Sequence, residues 1–154
     1  LFGVMKGATI SDLTVTYSTV KATTSKNTYN GILASVIDGT TISGVTIDSC
    51  AVYAKINAGG LVGLVNSSLG DSTISGCTAT VTVYSADNTS TAFGGLVSTF
   101  VADGSTSYTL TISGNTVRGT VRVNSVGGAI IAVSGPRVTI TGCDADGVTL
   151  TVTQ

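Results

Sequence analysis

The chain has 154 residues, enough for one domain of ordinary size, and its makeup is lopsided: 42% hydrophobic, 10% charged, 20 glycines, one proline, no histidine, tryptophan or glutamate. Good helix formers are scarce while Val, Ile and Thr abound, which points away from helix and toward strand throughout. The net charge of −1 supplies no attraction to nucleic acid or to an anionic membrane surface, and no stretch reaches the roughly 20 apolar residues of a membrane-spanning helix.

In chain order, Leu1-Phe2-Gly3-Val4 comes first and aligns with Leu61-Val62-Gly63-Leu64 further on. The triplet Thr9-Ile10-Ser11 follows, then a turn and Leu13. A glycine-aliphatic segment, Asn30-Gly31-Ile32-Leu33-Ala34, opens the next unit, which carries Thr46-Ile47-Asp48 and Cys50. Gly59-Gly60-Leu61-Val62-Gly63 opens a third, with Thr73-Ile74-Ser75, Cys77 and the alternating run Val81-Thr82-Val83. Gly94-Gly95-Leu96-Val97-Ser98 leads to Thr111-Ile112-Ser113, Asn115 and Val121-Arg122-Val123. Gly127-Gly128-Ala129-Ile130-Ile131 leads to Thr139-Ile140-Thr141, Cys143 and Leu150-Thr151-Val152.

Three short alternating strands per unit, repeated at a period of 27 to 38 residues, predict a right-handed parallel β-helix of about five triangular coils. The variation in period falls in Ser/Asn/Asp/Gly-rich segments at 23–30, 66–71, 85–91 and 102–107. Residues 1–154 read as one solenoid domain. The chain begins one residue past a missing Gly-Gly and ends where the next is due, with no polar or helical cap, so it reads as a segment of a longer repeat array.

The period of two assigns faces. Thr9, Thr46, Thr73, Thr111 and Thr139 form an outward column, with Val45 and Ile47, Leu110 and Ile112, and Val138 and Ile140 pointing in. Leu13, Cys50, Cys77, Asn115 and Cys143 form one inward corner column. The Gly-Gly pairs mark a bend that needs positive φ or close backbone approach.

The segments Gly59-Gly60-Leu61-Val62-Gly63 and Gly94-Gly95-Leu96-Val97, followed by Ile-Ser-Gly-Cys (74–77) or Ile-Ser-Gly-Asn (112–115), resemble the GLUG-motif repeats of bacterial surface proteins. The resemblance covers essentially the whole chain. It implies a β-helical module of a secreted or anchored adhesin, and it brings no catalytic signature.

The chemistry-bearing residues read plainly. With no histidine and no Cys-x-x-Cys there is no zinc pattern, and Cys50, Cys77 and Cys143 are expected as free thiols filling a narrow corner. Asn115, in the same column, is expected to hydrogen-bond backbone groups at the turn. Asp144-Ala145-Asp146-Gly147 lacks the ligand spacing of a calcium loop, and a column Tyr53, Thr80, Arg118, Asp146 predicts an Arg118–Asp146 ion pair instead. The acids are all Asp, and only Asp144 and Asp146 lie close together, so no catalytic, cofactor or metal site is expected and the chain does not read as an enzyme. Asn66-Ser67-Ser68 and Asn88-Thr89-Ser90 are sequons, glycan acceptors if the source glycosylates.

The expected function is a non-catalytic extracellular or cell-surface module, a rigid stalk or surface-binding element. Its partners would be flanking repeats or identical copies end to end, and carbohydrate or a cell-surface protein, met through loops at Tyr29 and Phe93. Two alternatives stand beside it. One is a filament subunit that stacks through uncapped coils. The other is an ice-binding solenoid that uses the outward Thr column and the flanking Ser11, Asp48, Ser75, Ser113 and Thr141.

Overall fold

The computed structural model describes residues 1–23, 28–86 and 92–152. It is an all-β solenoid whose strands pair only in parallel, each with its counterpart in the next coil. The first sheet stacks Phe2–Lys6, Ala34–Asp38, Val62–Asn66, Val97–Val101 and Ile131–Val133. The second stacks Thr9–Ser11, Thr41–Ser43, Ser72–Ser75, Leu110–Ser113 and Val138–Thr141. The third stacks Thr14–Thr16 with Thr19–Ala22, then Thr46–Ala54, Thr78–Ser85, Thr116–Val123 and Asp144–Val152. A short fourth sheet, Ala58–Gly59, Ala92–Gly94 and Val126–Gly128, lies in chain order between the third and the first. The principal sheets have five, five and six strands, the third because its first level is split in two, and they enclose about four complete turns, against the expected five coils.

Like stacks on like. Ile10, Ile42, Ile74, Ile112 and Ile140 form one inner column, and Val20, Val52, Val83, Val121 and Leu150 another. Met5, Ile37, Val65 and Phe100 line the first sheet's inside. Ile42, Ile74 and Ile112 are wholly buried, a gain of roughly 1.5–3 kcal/mol for each side chain over an exposed one. Ile140, in the last coil, is 43% exposed because nothing stacks above it. Burial here is a property of having neighbours on both sides.

The register corrects the outward column. Thr9 pairs with Thr41, and Thr41 with Thr73, so the second sheet's column is Thr9, Thr41, Thr73, Thr111 and Thr139 at intervals of 32, 32, 38 and 28 residues. Thr46 instead stacks on Thr14 and Thr78 in the third sheet, and Asp48 stacks on Thr16. The cause is a look-alike: Val45-Thr46-Ile47 mimics Val138-Thr139-Ile140. The true equivalents of Val138 are Thr40 and Ser72, buried polar residues that satisfy each other. Thr40 N–H donates to Ser72 Oγ at 3.2 Å, and Thr40 Oγ1 donates to the Met5 and Asp38 carbonyls.

Glycine holds two corners for different reasons. Between the second and third sheets, Gly44, Gly76, Gly114 and Gly142 have φ near +60°, a conformation that costs other residues, and Asp12 takes it in the first coil at φ 54°. At the Gly-Gly bend φ is not positive; space is the constraint. A methyl group on Gly95 would stand 2.1 Å from the Ala129 carbonyl oxygen. The alternatives for the Gly-Gly pairs therefore resolve to close approach.

Candidate functional site

The second sheet presents its outer face as two parallel rows. Thr9, Thr41, Thr73, Thr111 and Thr139 make one, and Ser11, Ser43, Ser75, Ser113 and Thr141 the other. Ser43 stands where sequence reasoning placed Asp48, so neither row contains a charge. The rows repeat at the spacing of stacked strands, about 4.8 Å.

The corner column is Leu13, Val45, Cys77, Asn115 and Cys143; Val45 takes the place expected for Cys50. Cys50 lies on the third sheet opposite Val81, past an irregularity where Ser49 adopts φ 53°. The amide of Ser18 donates to its sulfur at 3.4 Å. All three cysteines are free, and burial pushes the Cys77 thiol above its ordinary range. Asn115 is buried and ties adjacent coils together as expected. Its Oδ1 accepts from Cys77 N–H at 2.8 Å, and its Nδ2 donates to the Ile74 carbonyl at 2.9 Å.

Arg118 bonds to Asp144, not Asp146. Thr80, Arg118 and Gly147 share a column because the last coil carries one extra residue between Asp144 and Gly147. The Arg118 guanidinium holds the Asp144 carboxyl below its usual value, helped by the Asp146 amide. Among the described residues no three His, Cys, Asp or Glu side chains form a metal cluster, and no helix is long and apolar enough to cross a membrane.

Phe93 is not a surface contact. It is 1% exposed, packed in the core from the short fourth sheet between Ala58 and Gly127. Tyr29 is half-buried. Asn66 is half-buried too, and its side-chain amide donates to Asp38 Oδ2 and Ser68 Oγ, both at 3.2 Å. Asn88 lies outside the described residues.

Asp38 itself is 1% exposed and anchors the turn of the following coil. It accepts from the Ser68 and Leu69 amides, each at 2.9 Å, and from the Ser68 hydroxyl. Burial pushes its pKa up, but the donors of Ser68, Leu69 and Asn66 outweigh it and hold the carboxyl below the ordinary 3.8.

Sequence reasoning missed an outward column of the third sheet: Lys21, Tyr53, Tyr84, Arg122 and Thr151. The Tyr53 and Tyr84 rings meet edge to face at 5.9 Å between centroids, and the Arg122 guanidinium carbon lies 5.5 Å from the Tyr84 ring centre. Beside Tyr53 is an open groove of about 770 Å³ lined by Thr19, Lys21, Ala22, Thr23, Tyr53 and Ala86. The signal was present in the alternation of each third strand, but it needed the bulge at Ser49 to be placed. No family model, curated protein or solved structure matches the chain.

Proposed function

We propose that the chain is a non-catalytic structural and adhesive module of an extracellular or cell-surface protein, a rigid stalk whose outer faces make the contacts. The observation that carries this reading is the continuity of its columns. On the second and third sheets the inner Ile and Val columns run unbroken while the outer columns are mainly polar or aromatic. The first sheet keeps a mainly aliphatic outer row at Val4, Val36, Leu64, Thr99 and Val133, so each face of the stack is periodic. The resemblance of its Gly-Leu segments to GLUG repeats supports the same reading. The test is retention of the purified protein on a panel of immobilised polysaccharides and surface proteins, with reducing ends assayed in parallel. Retention without release of sugar is expected; release of product, or retention on nothing, overturns the proposal.

A second reading, an ice-binding solenoid, is favoured by the two uncharged Thr/Ser rows, since the register puts Ser43 where an interrupting Asp48 was expected. Thermal hysteresis, lost on Thr73→Tyr, is its signature. Zero hysteresis in the unmodified protein ends it.

A further inference from the structure

We propose that the column Lys21, Tyr53, Tyr84 and Arg122 binds a linear anionic polysaccharide laid along the solenoid axis, an inference that rests on the adhesive reading above. Each of the four residues comes from a successive coil and pairs directly with the next, so the column is a straight row with a step of about 4.8 Å. A sugar unit of an extended polysaccharide advances by nearly the same distance and stays in step across four coils. An extended peptide presents same-face side chains every 6.6–6.8 Å or so and falls out of step by the second contact.

The chemistry of the row fits the same ligand. Tyr53 is 36% exposed and walls the groove, offering a ring to the C–H face of a sugar. Tyr84 buttresses that ring edge to face and holds the Arg122 guanidinium above its own. The row thus has an aromatic centre with a cation at each end, spaced to meet carboxylates on separate sugars, where Arg122 can engage one bidentately. Flanking the row is a second outward column, Thr19, Ala51, Thr82, Thr120 and Thr149, whose four threonines supply hydroxyls for sugar hydroxyls. Among the described residues neither column contains a carboxylate. The acids on the strands of this face, Asp48, Asp144 and Asp146, sit at the other end of the strands, and Asp144 is engaged by Arg118.

Calorimetric titration with alginate, with its neutral propylene glycol ester and with single-stranded oligothymidylate tests the proposal. The expected result is binding of alginate that weakens steeply with added salt, no measurable binding of the ester, and weaker binding of the oligonucleotide. Tyr53→Ala and Arg122→Gln each reduce alginate affinity about tenfold, with the unfolding midpoint unchanged for the exposed Arg122. Lys21→Gln with Arg122→Gln touches no core contact and keeps the test valid if Tyr53→Ala unfolds. Equal binding of the ester, tighter binding of the oligonucleotide, or undiminished binding by the double variant overturns the row as the site. If the double variant still binds alginate or another panel member as the unmodified protein does, the adhesive reading stands and the row falls. If the unmodified protein binds nothing, both fall.

Discussion

The two glycine corners of each coil look alike in sequence and are built on different physics. Between the second and third sheets the chain needs a left-handed residue in open space: the nearest atom to a methyl placed on Gly114 is 4.0 Å away. At the Gly-Gly bend the dihedrals are ordinary, but successive coils approach so closely that a side chain has nowhere to go. The first corner is a conformational requirement, and Asp12 meets it in the first coil. The second is steric, and a methyl at Gly95 would meet backbone as well as the Val117 side chain. The steric column is strictly glycine only in the middle coils, at Gly60 and Gly95, since Ile32 and Ala129 stand in register with them in the flanking coils.

The largest effect expected is at the steric corner. Gly95→Ala forces apart two coils in the middle of the stack and should cost about 3 kcal/mol or more in urea-induced unfolding. A loss under about 1 kcal/mol would show that the bend can relax and would erase the contrast. Next comes Asn115→Leu, just past the conformational corner. It leaves the Cys77 amide and the Ile74 carbonyl buried without their partner, for a loss of about 2 kcal/mol by the same measurement. A neutral outcome would mean that the amide is not holding these coils together.

Gly114→Ala should cost only about 1–2 kcal/mol, the price of a left-handed alanine. Gly114→Asp should cost less than Gly114→Ala, because Asp12 already takes that conformation. The reverse order would remove the parallel with the first coil.

Smallest is the effect of acid at a third corner, where Asp38 pins residues 68 and 69. Its folded pKa lies below the ordinary 3.8, so its contribution is fully present above that pH and fades as pH falls through the lowered value. Melting temperature followed from pH 5 to pH 2 should drop more steeply in the unmodified protein than in Asp38→Asn. Asp103 and Asp144 are lowered too and remain in both proteins, so the difference isolates Asp38. Parallel curves would show that the carboxylate is not what anchors the turn.

Much of this architecture is legible in the sequence. The alternation of Ile112, Ile140 and Val121 follows from faces that must be apolar inside. The glycine pairs at 59–60 and 94–95 stack on each other, but in the last coil Gly128 and Ala129 stand over Gly94 and Gly95, and Gly127 over Phe93. The alignment of Leu1-Phe2 with Leu61-Val62 holds in the register. What misled was local likeness. Thr46 stands in a better strand pattern than Thr41, because the buried positions before Thr41 and Thr73 are filled by Thr40 and Ser72, which bond to each other across coils. The glycine after Ser43, matched after Ser75, Ser113 and Thr141, would have settled the register, since the left-handed turn recurs where strand pattern does not. Phe93 follows a polar segment, and no local cue reveals that a short fourth sheet turns it inward. The aromatic column needed a bulge that a residue count alone does not place.

The coil register also has a hereditary meaning. Since Thr41 stands directly over Thr73, removal of 41–72 would join Thr40 to Thr73 and leave Thr9 facing Thr73 with the columns still aligned. Duplicating the same stretch would add one storey in step. Unequal recombination between neighbouring repeats in the gene would then lengthen or shorten the protein by whole coils, and a row of contacts on its surface would grow or shrink by one rung at a time.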